Sequence, residues 1–178
     1  MEKEIGFKPF AKIILLYLVF MVFYGVYRAF PVFPLSIVSG ISESNFQHYK
    51  AAFFTFLLVD LIEYLVFRKR IQSLAVFWYG RLLMAVLVPW IIFLFWYIAP
   101  AVYGQFPTQL GEIIYANLIT ILVFISALLL EDGFLRIPFS RNLKILTWVL
   151  LLISLLLFMV FTFSHLPWAD VFVEPNWK

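Results

Sequence analysis

Five apolar runs, each long enough to cross a bilayer as a helix of about 20 residues, alternate along the chain with short polar or proline-bearing breaks. The first covers 10–30 and ends near Arg28, before Pro31 and Pro34, which do not suit a helix interior. Residues 32–41 are unusually apolar for a connection and are expected to lie in the interface or fold back into the bundle. The second run covers 45–67 and stops at Arg68-Lys69-Arg70. The third covers 78–99, with Pro89 inside it and Pro100 closing it. The fourth covers 112–130, ended by Glu131-Asp132-Gly133, and the fifth 142–163, ended by His165 and Pro167. There is no internal repeat. The pattern predicts an all-α integral membrane protein, one domain over 1–178 built from about five transmembrane helices.

Composition strengthens that reading. Apolar residues make up 65% of the 178 positions and charged residues 13%, against roughly 45–50% and about 25% in soluble domains. A chain this short cannot hide so much apolar surface in a core of its own, so the excess faces lipid. The first run exceeds the roughly 7–15 residues of a signal-peptide core and is followed by no small-x-small site, so it is expected to stay as a span. The absence of cysteine excludes disulfides, thiolate metal sites and cysteine nucleophiles.

The net charge of +3 changes the picture only through its distribution. Positive residues collect at the ends of apolar runs, and no basic face interleaved with aromatics points to nucleic acid. Lysine and arginine are retained on the cytoplasmic side of membrane proteins. Placing the N-terminus, the second loop and the fourth loop on one side gathers Lys3, Lys8, Lys12, Arg68, Lys69, Arg70, Arg81, Arg136, Arg141 and Lys144 there. Only Arg28, Lys50 and Lys178 remain opposite. Ten against three predicts a cytoplasmic N-terminus, an extracytoplasmic C-terminus and a multi-pass protein of the cell membrane. Trp168 and Trp177 at the outer end, with Trp78 and Tyr79 at the inner end, fit interfacial belts.

The segment 42–50 carries the most chemistry. Ser44 reads as an N-cap and Gln47, three residues on, as the second half of a capping box, with Glu43 near the positive end of the helix dipole. His48 and Lys50 enter an apolar helix, where a polar head must reach outward or find a partner. The run Ser42-Glu43-Ser44-Asn45-Phe46-Gln47-His48-Tyr49-Lys50, followed by Ala51-Ala52-Phe53-Phe54, resembles an uncharacterised family of small bacterial and archaeal polytopic membrane proteins. That family carries N-E-S-x-W-E-H-x-K before an aromatic-rich second helix. Glu43, Ser44, His48 and Lys50 match the motif, while Ser42, Phe46 and Gln47 depart from it. The segment 166–175, a proline followed by a phenylalanine–acid–proline group, is also similar to that family's ending. The resemblance implies a fold and a membrane location and brings no mechanism.

Deeper in the same run, Asp60 and Glu63 lie three apart and share a helix face. A carboxylate within a membrane costs several kcal/mol unless paired, protonated or hydrated. An antiparallel hairpin of the second and third spans brings Arg81 to Glu63 as a structural ion pair, while Asn117 and Thr120 are expected to hydrogen-bond Asp60. Glu43, His48, Lys50, Asp60, Asn117 and His165 are thus the expected polar site, opening to the outer face. A zinc site from the two histidines has no close His pair behind it, and a Ser44–His48 nucleophile competes with the capping role of Ser44. Neither metal nor cofactor is expected. The leading expectation is binding or translocation of a small solute or ion. A lipid-acting membrane enzyme, with His48 as acid–base and Lys50 on a head group, is the alternative. An accessory subunit in a homo-oligomer or membrane complex is the third.

Overall fold

The structure is a computed structural model that describes residues 6–104, 106, 108–164, 166 and 168–174. The described residues form six α-helices and one short 3-10 turn, and contain no strand. The helices are α1 (Pro9–Ala29), α2 (Phe33–Val38), α3 (Asn45–Phe67), α4 (Leu74–Tyr103), α5 (Gln109–Leu135) and α6 (Arg141–Phe163). The turn spans Asp170–Phe172.

Start signals are local. Pro9 opens α1, where its missing N–H costs nothing. Thr108 caps α5 by accepting from the Gly111 N–H, and Ser140 caps α6 by accepting from the Leu143 N–H. Ser44 stands at the N-cap of α3, but the expected capping box does not form. Its hydroxyl faces that of Ser42, and the Gln47 side-chain oxygen accepts from the Ile41 N–H instead. Two expected stops also fail. Helix α4 continues past Pro100 to Tyr103, and α5 runs through Glu131-Asp132-Gly133 to Leu135. A proline so near a helix end removes a single backbone bond, too little to stop the turn.

Helices α1, α3, α4 and α5 pack in a closed ring, each touching the next and α5 returning to α1. Helix α6 lies outside, against α4, and α2 folds back onto α1, α3 and α6. Four helices (α1, α4 over Leu74–Ile98, α5 and α6) are long and apolar enough to cross a membrane. Their outward faces carry exposed leucine, isoleucine, valine and phenylalanine along their length, which is the surface of a protein solvated by lipid. Helix α3 is also long, at 23 residues, but carries Lys50, Asp60 and Glu63 and falls outside that set. More than half of its residues are buried, because its neighbours wrap it on several sides.

Candidate functional site

Polar groups inside the ring gather at its two ends. At the end where α1 begins and α3 stops lie Lys12 of α1, Asp60 and Glu63 of α3, Arg81 of α4 and Glu131 of α5, none more than 4% exposed. Lys12 Nζ stands at the centre. It donates to Asp60 Oδ1 at 3.0 Å, to Glu63 Oε2 at 3.0 Å and to Glu131 Oε1 at 2.7 Å. An ammonium has three donors, and all three are used.

Arg81 closes the other side. Its Nε and Nη2 both reach Glu63 Oε2 at 2.8 Å, with Nε 3.8 Å from Asp60 Oδ1 and 3.6 Å from Glu131 Oε1. Its guanidinium lies over the Phe77 ring at 3.8 Å. The backbone N–H of Phe7 donates to Glu63 Oε1 at 2.7 Å and seals the cluster from the chain's early residues. Acceptor oxygens of the three carboxylates lie within 4.8 Å of one another, a spacing that could hold a metal ion. Lys12 fills that place. Among the described residues, three carboxylates against two cations leave one negative charge over, and Asp60 Oδ2 and Glu131 Oε2 have no hydrogen-bond partner.

At the opposite end the ring opens into a cavity of about 210 Å³. Phe20 and Tyr24 line it from α1, His48 and Tyr49 from α3, Trp96 from α4, and Glu112 and Thr120 from α5; Glu43 lines its rim. Glu43 pairs with Arg28 and accepts from the Tyr24 hydroxyl. Partial burial pushes its carboxyl up, but the Tyr24 hydroxyl and the Arg28 guanidinium outweigh that and hold it below the ordinary value of 4.5. His48 Nδ1 lies 3.0 Å from the Ser44 carbonyl oxygen, so the proton sits there and Nε2 keeps its lone pair. Its ring packs on Tyr24, centroids 4.8 Å apart.

Between the two ends stand Phe20, Phe56 and Phe124, the latter two fully buried, with Phe124 meeting Phe20 at 5.8 Å and Phe56 at 5.7 Å. His48 and Asp60 are twelve residues apart on α3, about 18 Å of helix. An aromatic septum therefore separates the cavity from the charge cluster.

The expected polar site divides between these places. Glu43 and His48 line the cavity, and Asp60 joins Glu63 and Arg81 in the cluster. Lys50 does neither. Two residues from His48 it points about 200° away around the helix, where its Nζ donates to the Ser36 carbonyl at 2.8 Å and to Thr162 Oγ1 at 3.0 Å. It ties α2 and α6 to α3. Asn117 does not reach Asp60. Its Oδ1 accepts from the Tyr17 hydroxyl and its Nδ2 donates to the Ile113 carbonyl, and it sits fourteen residues, about 21 Å of rise, from Glu131 on α5. Thr120 donates to the Ala116 carbonyl of its own helix. His165 lies outside the described residues.

Sequence reasoning missed Lys12 and Glu131. Lys12 reads as one more flanking positive charge, and Glu131 as the end of a span. The available signal was position: Lys12 falls two residues inside the expected first span, and Glu131 one residue past the expected end of the fourth, with apolar residues before and beyond each.

Fold and site together define an all-helical protein with four helices suited to a membrane and a buried ionic cluster inside a four-helix ring. No protein-family model, curated protein or solved structure matches the chain.

Proposed function

We propose that the protein is a small transporter of the cell membrane, of five crossings with the N-terminus cytoplasmic, in which the Lys12–Asp60–Glu63–Arg81–Glu131 cluster binds and releases a proton. The observation that carries this is the imbalance of charge. Two fixed cations cannot neutralise three carboxylates, and an uncompensated charge in so dry a place is costly. A proton on Asp60, whose Oδ2 has no hydrogen-bond partner among the described residues, removes that cost. Like charges held this close do not all ionise together, so the cluster is poised to gain or lose one proton. The likeness of the 42–50 segment to a family of polytopic membrane proteins supports the location.

Helix α3 counts as the fifth crossing because Asp60 and Glu63 face the ring and Lys50 is held by α2 and α6, while α1, α4 and α5 face lipid. The septum of Phe20, Phe56 and Phe124 supports a gated passage, since the polar groups at its two ends do not touch.

The test is proton uptake into liposomes carrying the purified chain, driven by an inside-negative potassium potential. Wild type acidifies the lumen faster than empty liposomes. Asp60→Asn falls to the empty rate while its melting temperature in detergent stays within a few degrees. Wild-type uptake in that variant overturns the proposal, as does an empty-liposome rate for wild type. A purely structural cluster, the accessory-subunit reading, gives the second of these.

The enzyme reading draws on the free Nε2 of His48 beside the cavity. It loses the cationic group expected to hold a lipid head, because Lys50 turns to α2 and α6.

A further inference from the structure

The outer cavity has a chemistry of its own. Glu43 and Glu112 line it, and neither lysine nor arginine does. Arg28 answers Glu43 from the rim. Glu112 has no ion pair or hydrogen bond among the described residues, and the N-terminal end of α5, which it faces from the first turn, offsets only about half of its charge. Aromatic rings share the remaining walls with His48, the neutral polar side chains of Asn45, Gln109 and Thr120, and isoleucines. Phe20, Tyr49 and Trp96 line the space alongside Tyr24, and the Tyr49 hydroxyl, on a residue 7% exposed, has no partner among the described residues.

We infer that this cavity binds a small organic cation of the substituted-ammonium class, with Glu112 as counter-ion and the Trp96 ring as the cation–π face. A cation held over an aromatic ring within about 6 Å of its centre is attracted by the ring's quadrupole, most strongly for tryptophan. The lining disfavours the other classes. An anion would meet two carboxylates and neither lysine nor arginine. A bare divalent ion takes roughly six or more oxygen ligands, carboxylates prominent among them, whereas this cavity offers one uncommitted carboxylate and otherwise only neutral polar side chains and carbon faces. A diffuse ammonium sheds its water more readily, and one counter-ion and a ring suffice for it. Of the rings present, Tyr24 is already engaged by Arg28 at 5.2 Å and by His48, which leaves Trp96 as the tryptophan that lines the space.

The inference goes beyond proton binding at the far end of the ring and is read at equilibrium, so it stands or falls apart from any flux. The experiment is equilibrium dialysis of radiolabelled tetramethylammonium against the detergent-purified full chain. Wild type binds saturably with a stoichiometry of one, and tert-butanol, similar in shape and uncharged, does not compete. Glu112→Gln and Trp96→Leu each weaken binding by about tenfold, the factor expected of one lost ionic or cation–π contact. Asp60→Asn, about 18 Å away along α3, leaves binding unchanged. Absence of saturable binding overturns the inference. So does equal competition by tert-butanol on the wild-type chain, a result that needs no variant to fold.

Discussion

Lys12 is the residue on which the cluster turns, because it alone hydrogen-bonds all three carboxylates. Removing one partner of a buried ionic network leaves charge uncompensated and typically costs about 3–5 kcal/mol. Lys12→Met should therefore lower the melting temperature in detergent strongly, where Asp60→Asn should not, since the asparagine variant leaves two cations facing two carboxylates. Equal melting of Lys12→Met and wild type would remove Lys12 from its central role. At the cavity end, Glu43 is held ionised by Tyr24 and Arg28. Its folded pKa lies below its unfolded one, so the contact stabilises at neutral pH and is lost only as pH falls through the lowered value. NMR of isotope-labelled glutamate carboxyls should show Glu43 titrating below 4.5, and Arg28→Gln should move it upward. A Glu43 midpoint unmoved by that substitution would contradict the pairing. At this scale the sequence exposed Asp60 and Glu63 because each interrupts an apolar helix. It concealed Lys12 and Glu131, because charges near the edge of an apolar run are also what membrane topology demands.

Among the elements, the long helices were legible to within a few residues, since an apolar run of about 20 residues has few other stable forms in lipid. Their ends were not. Pro100 and Gly133 read as stops, and the helices pass both. The five residues gained at the end of α5 bring Glu131 into the ring. Helix α2 was legible as an apolar connection that folds back, yet its partner was not: the Ser36 carbonyl near its C-terminal end is held by Lys50, a contact fixed by the third dimension. The segment before α1 has a sharper requirement. A Cβ at Gly6 would stand 2.4 Å from Glu63 Oε1 and 3.4 Å from Arg81 Nη2. Glu63 cannot yield, since Lys12 and Arg81 hold its other oxygen. Gly6→Ala should push this segment off the cluster, break the Phe7 N–H bond to Glu63 and speed exchange of the Phe7 amide by at least tenfold, the equivalent of one hydrogen bond of roughly 1.4 kcal/mol. Unchanged exchange at Phe7 would show that the cluster is not closed from this side.

For the molecule as a whole, the question is which way the ring points. The count of ten positive residues against three includes Lys12, Arg81 and Lys50, which the structure buries in side-chain contacts. Such residues answer to their partners rather than to the membrane potential or the retention of flanking charge. Leaving them out makes the argument stricter: eight against two, with Arg68, Lys69 and Arg70 concentrated in the single link between α3 and α4. A short link with three adjacent positive residues is the strongest local determinant of orientation that the chain possesses. In the proposed orientation the charge cluster lies toward the cytoplasm and the aromatic cavity toward the outside. The chain contains no cysteine, so single replacements report without background. Val32→Cys, exposed on the link between α1 and α2, and Gln72→Cys, exposed between α3 and α4, lie on opposite sides in this arrangement. An impermeant maleimide added to intact cells should label position 32 at once and position 72 only after permeabilisation. The reverse pattern would invert the ring and turn the cavity inward. Labelling of both positions from outside would mean that α3 does not cross, which is the sharper threat: a helix with Lys50, Asp60 and Glu63 spans a membrane only while α1, α4 and α5 surround its carboxylates and α2 and α6 hold its lysine.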